Sequence, residues 1–169
     1  MAELLKIRVK IKTIEELKEI LERERAGGRT VALANGCFDL IHVGHVRYLR
    51  GAKEHADILV VGLNSDSSVR ELKGSGRPYI SENDRLAMIA AMEFVDYAVL
   101  FTETRVDNIL LTLKPDFHAK GTDYTEETVP EKDVVASYGG KVIITGDPKD
   151  HSSTGIISGI KGGPNSGEK

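Results

Sequence analysis

Residues 31–45 read Val-Ala-Leu-Ala-Asn-Gly-Cys-Phe-Asp-Leu-Ile-His-Val-Gly-His. A short apolar run, Val31 to Ala34, gives way to a polar turn, and a helical period begins near Val43. This is the pattern of a buried strand feeding a helix, and it recurs along the chain. Further apolar runs lie at Ile58 to Leu63, Tyr97 to Phe101, Phe117 to Lys120 and Val142 to Thr145. Helical stretches are expected at Val43 to His55, Ser67 to Leu72, Asp84 to Glu93, Val106 to Leu113 and Glu131 to Tyr138, with a last short helix over Thr154 to Ile160. Alternating strands and helices predict an α/β fold, a doubly wound five-stranded parallel sheet covered on both faces. Continuous apolar strands such as Ile58-Leu59-Val60-Val61 agree with burial on both sides.

An N-terminal helix precedes this core, from Thr13 to Arg25. Thr13 and Glu16 have capping-box spacing, and Ile14, Leu17, Ile20 and Leu21 share a face. Gly27-Gly28 end it. The expected organisation is an N-terminal helical extension over residues 1–29, one functional domain over 30–161 and a disordered tail over 162–169.

The 169 residues suffice for one domain with a true core, and 40% hydrophobic with 29% charged residues is ordinary for a globular chain. A net charge of -3 argues against nucleic acid or an anionic membrane as partner, so phosphate binding must come from local donors. One cysteine, Cys37, rules out an intramolecular disulfide and suits a reducing cytoplasm. The opening Met1 to Lys6 lacks an apolar run with a small-residue cleavage site, so no signal peptide is expected. No apolar stretch reaches membrane-spanning length.

In doubly wound folds, ligands bind beyond the carboxyl ends of the strands, where strand order reverses. Gly36 lets the backbone approach a ligand, and Gly44 leaves the helix start open to a phosphate. His42 and His45 are three residues apart and share a helix face. Beside the N–H groups and positive dipole of a helix N-terminus, two imidazoles form a polyphosphate clamp. A metal pair is the competing reading, but no cysteine or acidic cluster nearby completes a ligand set. A core histidine is another. His-x-Gly-His alone is a weak pattern; directly after a buried strand it carries weight.

Lys73, Gly74, Gly76 and Arg77 read as a flexible basic loop whose point charge and fork suit two phosphates, against the bland reading of a solvated surface loop. Arg85 sits in the first turn of a helix capped by Ser81, where its charge opposes the dipole. Contact with a triphosphate would offset that; a salt bridge to Glu82 or Asp84 is the alternative. Asp66 reads equally as an N-cap or as a substrate contact. In Lys120-Gly121-Thr122-Asp123-Tyr124, Asp123 suits a ribose hydroxyl and Gly121 an approaching base, although both are also ordinary turn residues. Ser152-Ser153-Thr154 suit a helix cap and terminal phosphates. Asp39 reads as fixing the turn or orienting a histidine, the structural role being the expectation, and Cys37 as a small packing residue with no activating base.

Asn35-Gly36-Cys37-Phe38-Asp39 with His42, Gly44 and His45 resembles the signature of the cytidylyltransferase-like nucleotidyltransferases, a Rossmann-like fold. With Asn64-Ser65-Asp66, Leu72-Lys73-Gly74, Gly76-Arg77-Pro78, Arg85, Lys120-Gly121, Asp123-Tyr124 and Ser152-Ser153-Thr154 in this order, the chain resembles the adenylyltransferase domain of the ADP-heptose synthases, from about Ile14 to Lys161. It departs at Thr122, where that family usually has a second glycine, and at His151 before the Ser-Ser-Thr segment. The resemblance implies ATP as co-substrate with Mg²⁺, and a heptose 1-phosphate as acceptor. It implies catalytic roles for His42, His45 and Lys73. Nucleotide contacts would come from Gly36, Cys37, Phe38, Gly44, Arg85, Lys120, Gly121, Asp123, Ser152, Ser153 and Thr154. Asn35, Asp66 and Arg77 would meet the acceptor. A homodimer is left open. The near rival is a CTP-dependent cytidylyltransferase acting on glycerol 3-phosphate, which usually carries Arg-Thr-Glu-Gly-Ile-Ser where this chain has Lys149-Asp150-His151-Ser152-Ser153. A rival of another class is a non-catalytic nucleotide sensor, disfavoured by an intact clamp.

Overall fold

A computed structural model describes residues 7–147 and 157. Five strands, β1 (Val31–Gly36), β2 (Ile58–Asn64), β3 (Tyr97–Phe101), β4 (Phe117–Gly121) and β5 (Lys141–Thr145), form one sheet in the order β3-β2-β1-β4-β5. All pairings are parallel. Helices with both ends among the described residues are α1 (Ile14–Ala26), α2 (Val43–Lys53), α3 (Asp66–Lys73), α4 (Glu82–Ala90), α5 (Asp107–Leu113) and α6 (Lys132–Ser137), and residues 7–10 are helical as well. This is the expected doubly wound α/β architecture. The expected final helix falls outside the described residues except for Ile157, which is helical, and the tail over 162–169 falls outside them entirely.

Side-chain alternation divides the core in two. Ala32 and Ala34 of β1, with Leu59, Val61 and Leu63 of β2, face Leu49 and Ala52 of α2 and Leu86 and Ile89 of α4. Val31 and Leu33, with Ile58 and Val60, face Leu17 and Leu21 of α1, Ile109, Leu110 and Leu113 of α5, and Val135 of α6. Both faces of the central strands are therefore dry, which is why those strands read as continuous apolar runs. Burying each such leucine or isoleucine side chain contributes about 1.5–3 kcal/mol.

The first helix belongs to this same core. Thr13 caps it through its bond from the Glu16 N–H, and the Glu16 carboxylate closes the box by accepting from the Thr13 N–H at 2.8 Å. Ahead of it, Ile11 bridges to Ala98, and the Lys12 N–H donates to the Ala98 carbonyl at 3.0 Å. The N-terminal segment thereby covers part of the open edge of β3, an edge that would otherwise invite strand pairing. No helix among the described residues is long and apolar enough to cross a membrane.

Strand order sets the ligand crevice. From β1 the chain runs outward to β2 and β3 on one side, then crosses to β4 and β5 on the other. The β1–β4 ladder stops at Ala34 and Ala119, whereas β1–β2 continues to Gly36 and Leu63. Beyond Ala34 and Ala119 the two strands part, and the crevice opens there.

Candidate active site

The turn after β1 is shaped by one ring. Phe38 takes φ 47, a left-handed conformation rare for a bulky residue, and folds its ring back over Gly36. A Cβ at Gly36 would meet ring carbons at 3.2 Å, so glycine lets the ring lie this close without shifting. The same ring stands edge-on to His45, with centroids 5.2 Å apart. Phe38 is buried to 3% exposure. The side chain is thus committed to packing against Gly36 and His45, so any contact of Phe38 with a nucleotide would come from its backbone.

His42 is the N-cap of α2, and His45 lies in its first turn. Their rings stack with centroids 3.9 Å apart at 26°. The His42 backbone N–H donates to His45 Nδ1 at 3.4 Å, a long bond that makes Nδ1 the acceptor. In a neutral ring the proton then resides on Nε2, which becomes a donor. The first turn of α2, with Gly44, adds helix N-terminal N–H groups beyond the carboxyl end of β1. The two histidines sharing a face are thus brought together as expected.

Asp39 organises the basic segment. It is buried, and its carboxylate accepts from Arg77 Nε at 2.5 Å and from the Tyr79 and Ile80 N–H groups at 2.7 and 3.1 Å. Its role is structural, and the turn it fixes through these bonds is 77–80. Arg77 is placed by the sequence in a flexible basic loop that meets the acceptor. It is anchored instead on Asp39 and lies over the Tyr79 ring at 5.0 Å. Lys73 is also not in a loop: it is the last residue of α3, where a cation suits the helix dipole, and Gly74 at φ 94 ends the helix.

Arg85 requires the largest correction. Its side chain is fully buried. Nε donates to the Ile80 carbonyl at 3.0 Å, one terminal nitrogen to the carbonyls of Cys37 and Asn64, and the other to Asp66 Oδ1 at 2.7 Å. It ties the ends of β1 and β2 to α4 and does not present itself to a triphosphate. The alternative partners Glu82 and Asp84 are also not those used. Asp66 in turn is not the N-cap of α3; Ser65 is, accepting from the Ser68 N–H. Asp66 pairs with Arg85, which weakens its case as an acceptor contact. Burial raises the Cys37 thiol, with Lys73 and Arg85 only partly opposing, so no thiolate nucleophile is formed.

On the other side of the crevice, Lys120 Nζ lies 3.2 Å from Asn35 Oδ1 and 3.1 Å from Glu131 Oε2, with the Tyr124 ring at 5.5 Å. Gly121 ends β4, and a Cβ there would meet Asp123 Oδ1 at 2.8 Å. Asp123 is exposed beside it. Tyr48 of α2 donates to the Ala119 carbonyl at 2.8 Å, joining the histidine helix to β4. Burial raises its phenol well above the usual value. Thr122 turns its hydroxyl to the Asp147 carbonyl at 2.7 Å, linking the loops after β4 and β5. Ser152, Ser153, Thr154 and His151 lie outside the described residues.

Glu131 and His118 were not singled out from sequence. His118 Nε2 lies 3.7 Å from Glu131 Oε2, and both residues are buried. Burial would raise the Glu131 carboxyl, but His118 and Lys120 hold it down at about 2. Burial pushes His118 below its usual value despite Glu131. The available signal was alternation: His118 and Lys120, two apart on a buried strand, share one face and call for an acid there. Among the described residues, no group of three or more His, Cys, Asp or Glu side chains is placed to hold a metal ion.

The pattern of a family described as cytidylyltransferase-like matches residues 33–158. The chain is 50% identical over 151 residues to the "Bifunctional protein HldE" of Syntrophotalea carbinolica, covering 89% of this chain and 31% of that protein. The protein of the same description from Geobacter metallireducens has the same identity and coverage. The chain thus spans about a third of the length of these curated relatives. The crystal structure of the lipopolysaccharide core biosynthesis protein from Thermoplasma volcanium GSS1 superposes with a TM-score of 0.61 at 30% identity, covering 72% of this chain and 100% of that one.

Proposed function

Because the chain belongs to the cytidylyltransferase-like family, we propose that it is an adenylyltransferase that moves AMP from ATP to D-glycero-β-D-manno-heptose 1-phosphate. A phosphate oxygen of the sugar attacks the α-phosphorus of ATP. The bond from that phosphorus to the bridging oxygen of the β-phosphate breaks, pyrophosphate leaves, and ADP-heptose forms. The attacking phosphate is already ionised, so no general base is needed. The single observation that carries this reading is the stacked His42–His45 pair at the N-terminus of α2, beside the strand-order reversal.

The residue roles follow from charge. Negative charge grows on the non-bridging oxygens of the α-phosphate and on the departing pyrophosphate. His45, donating from Nε2, and His42 meet those oxygens as fixed donors. Lys73, at the end of α3, supplies a mobile ammonium to the same phosphates. Lys120, Gly121 and Asp123 line the opposite side, for the nucleoside, with Asn35 next to Lys120 and towards the acceptor. Arg77, held by Asp39, leaves its remaining N–H groups for the acceptor. The Lys73 ammonium repels a cation, and the His45 ring turns a donor N–H, not a lone pair, to the phosphates. Mg²⁺ would be carried on the triphosphate's own oxygens.

The choice of ATP and of a heptose rests on the motif resemblance to the ADP-heptose synthases and on the relatives named above. A site that hydrogen-bonds one base leaves buried groups unpaired with another, so discrimination should be large. The test is pyrophosphate release across ATP and CTP, each with heptose 1-phosphate and glycerol 3-phosphate. The expected result is strong preference for ATP with heptose 1-phosphate. Preference for CTP with glycerol 3-phosphate would refute the assignment and leave nucleotidyl transfer standing. No pyrophosphate from any pair would refute both and favour a sensor.

A further inference from the structure

We infer that Glu131 is a positioning residue that holds the Lys120 ammonium as a charge-compensated donor at the mouth of the β1–β4 crevice, where it meets the uncharged nucleoside and not the phosphates. The inference rests on the nucleotide reading above and adds to it a residue and a division of the site.

Glu131 stands at the N-cap of α6, where an acidic side chain ordinarily accepts from first-turn N–H groups. Its side chain makes no such cap. The carboxylate turns inward to Lys120 Nζ at 3.1 Å and towards His118 Nε2 at 3.7 Å. Helix capping therefore does not explain an acid here. Its exposure is only 6%, so the charge is desolvated and must be matched. Lys120 matches it, and Lys120 is itself buried to 8%.

The location gives the pair its use. The β1–β4 ladder ends at Ala34 and Ala119, one residue before Asn35 and Lys120. Lys120 Nζ spans the opening to Asn35 Oδ1 at 3.2 Å. The backbone turns back from Gly121 through a 3.1 Å bond from the Tyr124 N–H, which carries the Tyr124 ring to 5.5 Å from the ammonium. An ammonium has three donors. One goes to Asn35 Oδ1, while the Glu131 carboxylate pairs with the ammonium as a charge and the Tyr124 ring stands over it. With Glu131 beside it, Lys120 offers a hydrogen bond without net charge. That suits a ribose hydroxyl or a base edge; phosphates are better served by the histidine helix, which carries no carboxylate in its first turn.

The experiment compares wild type, Glu131→Gln, Lys120→Met and the double variant. Binding of ATP and of adenosine is measured by calorimetry, turnover by pyrophosphate release, and stability by melting. Glu131→Gln keeps the shape and removes the charge. The expected result is loss of about tenfold in affinity for both ATP and adenosine, with kcat at saturation within about threefold of wild type. The double variant should bind like Lys120→Met alone, because Glu131 acts through Lys120. A merely structural Glu131 would lower the melting temperature, leave both affinities unchanged and add to Lys120→Met; that overturns the inference. Loss for ATP but not adenosine places Lys120 on phosphate and also overturns it. Wild-type protein that binds neither ligand overturns the nucleotide reading itself, a failure seen before any variant is made.

Discussion

His45 donates from Nε2 only while its Nδ1 accepts from the His42 backbone, so the clamp depends on backbone geometry as well as on ring identity. Replacing His42 or His45 with Ala should lower kcat by about 10²–10³-fold, the scale for one lost preorganised donor. The melting temperature should hold, since neither ring belongs to the apolar core. Near-native turnover in both variants would end the clamp hypothesis. Arg85 should behave in the opposite way. Arg85→Met strands the carbonyls of Ile80, Cys37 and Asn64, and frees Asp66, which is partly exposed and can take up water. Stability should fall by about 3 kcal/mol, most of it from the carbonyls. Denaturant titration measures this. A fully stable variant with lost turnover would return Arg85 to the triphosphate.

At the level of elements, three pieces gather about the turn after β1: the first turn of α2, the last turn of α3 and the segment between α3 and α4. The last is pinned by Asp39, so Arg77 has little freedom. Lys73 is different. Its backbone is fixed by α3, but its side chain is exposed and ends the helix next to Gly74. A flexible side chain on a fixed stem can follow charge as it moves from the α-phosphate to the leaving pyrophosphate. Lys73→Ala should therefore reduce kcat more than it weakens ATP binding without acceptor. Calorimetry and single-turnover kinetics separate the two effects. Equal loss in binding and turnover would make Lys73 a ground-state phosphate contact only.

For the molecule as a whole, the His118–Glu131–Lys120 cluster ties β4 to the start of α6 and couples stability to pH. Burial lowers His118 from its ordinary 6.5, so the unfolded chain takes that proton first, and stability falls as pH drops below about 6.5. Glu131 is held at about 2 against an ordinary 4.5, so a second loss runs from about pH 4.5 down to about 2. Both contributions are fully present at neutral pH and both are lost towards acid. Urea melts from pH 7.5 to 4 should show stability falling, and His118→Asn should flatten the slope between about pH 6.5 and 5. An unchanged slope in that variant would show that His118 is not the group responsible.

The sequence by itself determined the architecture. Apolar runs such as Ile58 to Val61 and the Thr13–Glu16 cap are local patterns, and all five strands and the α1 start follow from them. It also determined the His42–His45 pairing, because three-residue spacing on a helix is short-range geometry. The partners of the charged residues, by contrast, are set by long-range packing. Arg85 meets Asp66 across 19 residues and Arg77 meets Asp39 across 38, separations that no local pattern reports. Lys120 and Glu131 were within reach of inference, since a buried strand with two basic residues on one face must find an acid. Which acid answers depends on where the chain returns. A charge is satisfied by whichever partner the fold brings within about 3 Å, and that distance is set by packing rather than by position in the sequence.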